Sequence, residues 1–198
     1  MDMSEPTILI VPGLRDAVAR HWQTLLEARL RAAATPVAGV LPMGREDLSC
    51  SARVAEIERA AQAIEGPLVI VAHSGGCIMV AHWARQTRRA VRGALLATPP
   101  DFEKPMPEGY PTIAALRAGG WLPVPRERLP FPSIVAASRN DPLARFERVA
   151  ELAHGWGSRL DDLGNVGHLN PASGFGPWPA ADQYIAALSA RAAETSPT

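Results

Sequence analysis

The sequence predicts an α/β fold built on a mainly parallel sheet of about six strands, with helices on both faces. Three observations predict it. Short apolar runs rich in β-formers recur along the chain. Most are continuously apolar rather than alternating, as strands covered on both faces are. Stretches of helical spacing lie between them, and that alternation is the signature of parallel sheets.

The strand runs come in order. They are "TILIV" (Thr7 to Val11), "VAGVL" (Val37 to Leu41), "PLVIVA" (Pro67 to Ala72), "GALLAT" (Gly93 to Thr98), "SIVAAS" (Ser133 to Ser138) and "SRLDDL" (Ser158 to Leu163). Between them, Trp22, Leu25, Leu26 and Leu30 repeat at helical spacing, then Val54, Ile57 and Ile64, then Phe146, Val149 and Leu152. Tyr184, Ile185 and Leu188 form the last such set. A further helix is expected to start near Gly75. The 198 residues suffice for one sizeable core, so residues 1–198 are expected to form a single domain. Residues 99–132 break the rhythm. They are rich in Pro and Gly, hold one short helical piece (Thr112 to Ala118), and form a candidate cap or pocket wall. Residues 192–198 are expected to fray.

Composition excludes several classes. Formal net charge is zero, with no basic stripe, which argues against nucleic acid as a partner. Only Lys104 among the basic residues is lysine, which points to a coding bias rather than to a function. Cys50 and Cys77 have no metal-site or disulfide spacing and are expected to be reduced thiols. No metal and no organic cofactor is implied. No apolar run approaches the roughly 20 residues of a membrane span, and "MDMSEPTILIVPG", without a charged n-region and a long apolar core, is not expected to act as a signal peptide. A cytoplasmic location without membrane contact is expected.

The chemistry lies at "VIVAHSGG". Ser74 falls between a buried strand run and a helical pattern, with small residues Ala72 and Gly76 two positions to either side. That is close to the nucleophile elbow G-x-S-x-G, whose strained turn exposes the serine hydroxyl. Ligands of parallel sheets bind outside the carboxyl ends of the strands, where this serine is expected. The helix start behind it offers the Gly75 N–H to an oxyanion. A serine needs a base and an acid that orients the base. Of five histidines, His168 in "GNVGHLN" follows the last strand run. His73 adjoins the serine and is expected to project away from it, while His21, His82 and His154 belong to helical segments. Asp141 in "SRNDP" follows the fifth strand run, although Asp-Pro is also a good helix start. Asp101 in "TPPDF" is the second candidate acid, and Asp161 and Asp162 lie inside a strand run. The chain order Ser74, Asp141, His168 is that of an α/β-hydrolase. The loop "VPGLRD" after the first strand would supply the second oxyanion donor, at the Leu14 N–H beside Gly13. Trp22, Trp121, Phe175 and Trp178, with Gly13, are candidate pocket residues.

The blocks "VPGLRDAVARHW", "AHSGG", "ASRNDPLA" and "GNVGHLN" running on to "SGFGPWP" span almost the whole chain. On these the sequence resembles the small serine hydrolases of the retinoblastoma-binding-protein-nine type. The resemblance implies a compact α/β-hydrolase fold with a reduced cap. It implies nucleophile, acid and base at Ser74, Asp141 and His168, with a small ester or amide as substrate. Two departures stand out: Ala72 where many members carry glycine, and Pro12 before Gly13 in place of a His-Gly start. An acyltransferase using the same three residues, or a protein-interaction scaffold on the same fold, are the other readings, and a protein partner is not indicated by the sequence.

Overall fold

The computed structural model describes residues 5–15 and 18–190. The expected frayed segment 192–198 lies outside the described residues. Six strands form one sheet: β1 (Thr7–Val11), β2 (Val37–Gly39), β3 (Leu68–His73), β4 (Val91–Ala97), β5 (Ser133–Ala137) and β6 (Arg159–Asp162). Their spatial order is β2-β1-β3-β4-β5-β6, and every neighbouring pair is parallel. The helices are α1 (Trp22–Ala32), α2 (Cys50–Gln62), α3 (Gly75–Ala84), α4 (Ile113–Ala118), α5 (Phe146–Trp156) and α6 (Ala180–Ala190).

The continuous apolar runs have the cause expected for them. Alternate residues of each strand feed two different cores. Leu9, Val11, Ile70, Ala72, Leu96 and Val135 pack with Val54 and Ile57 of α2, Ile78 of α3 and Val149 of α5. Ile8, Ile10, Val69, Val71, Leu95 and Ile134 pack with Leu26 and Leu30 of α1 and Leu188 of α6. Side-chain caps fix where the helices begin. Ser49 accepts from the Ala52 N–H at 3.2 Å to start α2, and His21 Nδ1 accepts from the Gln23 N–H at 3.2 Å to start α1.

Two local expectations need correction. Ile64 lies beyond the end of α2, which stops at Gln62. Asp141 does not start α5, whose first residue is Phe146; it closes a turn instead, its Oδ1 accepting from the Leu143 N–H at 2.8 Å. The excursion between β4 and β5 contains α4, and Phe102, Leu116, Trp121, Val124 and Phe131 from it are buried in the α2/α3/α5-side core. It is therefore a wall folded onto the sheet's helical layer. No helix among the described residues is long and apolar enough to cross a membrane.

Candidate active site

β3 ends at His73, and α3 begins at Gly75, leaving Ser74 alone to turn the chain. Its backbone sits at φ 54°, ψ −132°, a conformation that costs a non-glycine residue of order 1–3 kcal/mol. The neighbouring bonds maintain it: the Ser74 N–H donates to Ala97 O at 2.9 Å, and the Cys77 N–H to Ser74 O at 2.9 Å. Ser74 Oγ therefore stands at the carboxyl end of the sheet.

His168 comes from the loop after β6 and Asp141 from the loop after β5, the adjacent strand. The three side chains form a continuous chain of hydrogen bonds. His168 Nδ1 lies 2.8 Å from Asp141 Oδ2 and 3.0 Å from Oδ1, and His168 Nε2 lies 2.8 Å from Ser74 Oγ. A carboxylate only accepts, so Nδ1 carries the proton and the serine hydroxyl donates to Nε2. The His168 and Asp141 side chains are 4% and 2% exposed, which protects their bond from water. Ser74 is half-buried and faces the cleft.

That cleft holds about 550 Å³. Leu14, Leu48, Phe102, Met106, Tyr110 and Leu143 give it apolar walls. Gly13 and Gly75 line it beside the serine. A Cβ on Gly13 would stand 3.2 Å from Ser74 Cβ, so the first loop passes directly against the nucleophile candidate. The Leu14 side chain lies over Gly75. Gly75 is the first residue of α3, so its N–H is one of the donors a helix start leaves without an intrahelical acceptor.

The family model for serine hydrolases matches residues 8–187. The chain belongs to the serine hydrolase family. A solved structure named as a YdeN-like hydrolase, from Pectobacterium atrosepticum, is 27% identical with a TM-score of 0.78, over 93% of this chain and 91% of that one. The ydeN product of B. subtilis is 19% identical at TM-score 0.72, over 92% and 98%. Est1E of Butyrivibrio proteoclasticus, solved with ferulic acid, is 12% identical at TM-score 0.66, over 94% and 88%. The last two share the fold. No curated protein matches the chain in sequence.

In this serine hydrolase the aromatic residues that were candidates for the pocket, Trp22, Trp121, Phe175 and Trp178, do not line it. Trp121 is fully buried, its Nε1–H donating to Leu48 O at 2.8 Å and its ring 5.5 Å from that of Phe102. It stands one layer behind the cleft wall that Leu48 and Phe102 form. Trp22 is 1% exposed and packs edge-on to Trp178, with ring centroids 4.9 Å apart. Trp178 and Phe175 are half-buried against the α1/α6-side core. Large rings at strand ends go where most area can be buried, which here is beneath the site. Asp101 is also drawn elsewhere: Arg148 of α5 donates to it at 3.1 Å, and the Glu103 N–H donates to its Oδ1. Asp162 pairs with Arg139, and Asp161 accepts from Tyr184 Oη.

Four polar residues that brace the site, Gln23, Arg53, Asn140 and Ser173, are not among the candidate site residues of the sequence. Gln23 is buried on an otherwise apolar helix face, and its Nε2 donates to Val11 O at 3.1 Å and Val71 O at 3.0 Å, tying the ends of β1 and β3. Arg53, also buried, donates to Leu14 O, Gly44 O and Asp47 O, joining the first loop to the loop after β2. Asn140 Oδ1 accepts from the Gly167 N–H at 2.7 Å, and Ser173 Oγ from the His168 N–H at 2.9 Å. A polar residue at an apolar helical position was the available clue for Gln23 and Arg53.

Proposed function

We propose that this serine hydrolase cleaves a small ester or amide through Ser74, His168 and Asp141, with an acyl-enzyme intermediate. The observation that carries the reading is the unbroken run of hydrogen bonds from Asp141 through His168 to Ser74 Oγ, opening on an apolar cleft. Ser74 Oγ attacks the substrate carbonyl as His168 Nε2 takes its proton. Asp141 holds the ring with Nδ1 protonated and stabilises the imidazolium. The N–H groups of Gly75 and Leu14 stabilise the tetrahedral oxyanion. Its collapse expels the alcohol or amine, which receives the proton from His168. Water, deprotonated by the same ring, then attacks the acyl carbonyl, and collapse returns the proton to Ser74 and releases the acid. The apolar part of the cleft wall, Leu14, Leu48, Phe102 and Met106, suits an acyl chain. The resemblance of the sequence blocks supports, on the same reading, membership of the retinoblastoma-binding-protein-nine type branch of the family.

The test is fluorophosphonate labelling of the wild type beside Ser74→Ala, with hydrolysis of p-nitrophenyl esters of increasing chain length. Labelling lost in the variant, and kcat lowered by about 10⁵–10⁶, supports the reading. A folded wild type that neither labels nor turns over any ester overturns it.

A further inference from the structure

His73 is the last residue of β3 and precedes the serine, yet it has no part in the relay described above. It is 5% exposed, and its Nε2 lies 2.9 Å from the backbone oxygen of His168. A carbonyl oxygen only accepts, so His73 Nε2 carries a proton and donates it to that bond. The bond crosses from the end of the strand that leads into Ser74 to the loop bearing His168. It thereby links the two partners of the proton transfer by a path that does not run through their own hydrogen bond.

The loop needs such a hold. Leu169, whose peptide includes the His168 carbonyl, has φ 47°, a left-handed conformation unfavourable for a branched side chain. The His168 N–H is taken by Ser173 Oγ. With His73 on the carbonyl, both peptide groups flanking the base are fixed by side chains, and the ring's remaining freedom is taken up by Asp141 and Ser74.

The surroundings of His73 suit this duty and no acid–base one. Its ring centroid lies 4.5 Å from that of His21 at the start of α1, 5.0 Å from that of His168, and 6.0 Å from Trp22 edge-on. The titratable groups in ring contact with it are thus two more imidazoles, with Asp141 held on the far side of His168. Burial first, then the two imidazoles, hold its pKa well below the usual histidine value. It stays neutral and donates from one fixed nitrogen, and it places no second cation beside the imidazolium that forms on His168.

We propose that His73 is a positioning residue that sets the geometry of His168 toward Ser74 through the His168 carbonyl. The proposal rests on the hydrolase reading above. Its test compares His73→Gln, which keeps a donor within reach, with His73→Met, which keeps a chain of similar size and shape without one. His73→Met is expected to lose about 100-fold in kcat and in fluorophosphonate labelling rate with KM nearly unchanged, as misplacement of a reacting group does. His73→Gln is expected to retain activity within about ten-fold. Equal loss in both variants would reduce the residue to packing, and wild-type rates in His73→Met would remove the role. Should His73→Met fail to fold, nitrogen-detected NMR of the wild type decides: His73 as the Nε2–H tautomer supports the proposal, and the Nδ1–H tautomer overturns it. The two readings fail apart. A folded wild type that does not label at Ser74 overturns both, whereas normal labelling with an unimpaired His73→Met overturns only this one.

Discussion

Asp141 and Asp101 illustrate how much one residue's setting decides. Both follow a buried strand and both close a turn by accepting a backbone N–H two residues on. The difference is the next strand over. Asp141 follows β5, and β6 beside it leads to the His168 loop. Asp101 follows β4 and is turned toward α5, where Arg148 takes its carboxylate. Sequence ranks Asp141 first by chain order and keeps Asp101 as the second candidate, because strand order is a long-range property. Asp141→Asn is expected to lower kcat by about 10⁴, because an amide donor can pair with an unprotonated Nδ1 and so put the proton on the nitrogen facing Ser74. Asp101→Asn should keep kcat within a few-fold yet lose about 1–3 kcal/mol of stability, less than a fully broken buried pair, since Arg148 retains Glu103 and Glu151. Steady-state kinetics and urea denaturation on both variants check this. A large kcat loss in Asp101→Asn with intact stability would exchange the two roles.

At the scale of elements, the strand–turn–helix around Ser74 was legible because its constraints are local. The buried run, the lone serine and the small flanking residues all lie within a few positions. The two flanks are nevertheless unequal. A Cβ on Gly76 would stand 2.6 Å from both Val11 O and Pro12 O, main-chain atoms at the end of β1. Ala72 faces side chains of the α2/α3/α5-side core, where a methyl group finds room, which explains why this position departs from glycine without harm to the turn. Gly76→Ala must therefore push α3 away from β1 or displace the loop carrying Gly13 and Leu14. It is expected to cost about 1–3 kcal/mol and slow fluorophosphonate labelling about 100-fold. Thermal denaturation and labelling kinetics read the two effects separately, and unchanged labelling would show that the first loop tolerates the shift. The cleft walls were far less legible. Leu48 reaches the site from the loop before α2, and Met106 and Tyr110 from the loop before α4, two loops whose mutual position depends on the whole sheet. The tryptophans, candidate pocket residues by size and chain position, are absent from the cleft lining and pack behind it.

Across the whole molecule, the site's histidines tie stability to pH. Burial, and then the nearby His168, lower the pKa of His21 to about 4, and burial also holds that of His73 well below its usual value. In the unfolded chain both titrate near 6.5. Between pH 6.5 and about 4 the unfolded state therefore holds more protons than the folded one. Stability is full above pH 6.5, falls as pH falls through that window, and the His21 contribution levels off below about pH 4. From His21 alone the loss by pH 4.5 is about 2–3 kcal/mol. His21 also caps α1 through Nδ1, which accepts the Gln23 N–H. His21→Asn offers an oxygen for the same bond without a titrating group. This variant is expected to match the wild type within about 1 kcal/mol at pH 7 and to exceed it by about 2 kcal/mol at pH 4.5. Urea unfolding of both proteins at the two pH values measures the difference. Parallel losses of stability in the two proteins would mean that His21 is protonated in the folded state with little cost, and that the acid sensitivity lies with His73 and the half-buried His82, whose pKa burial also lowers.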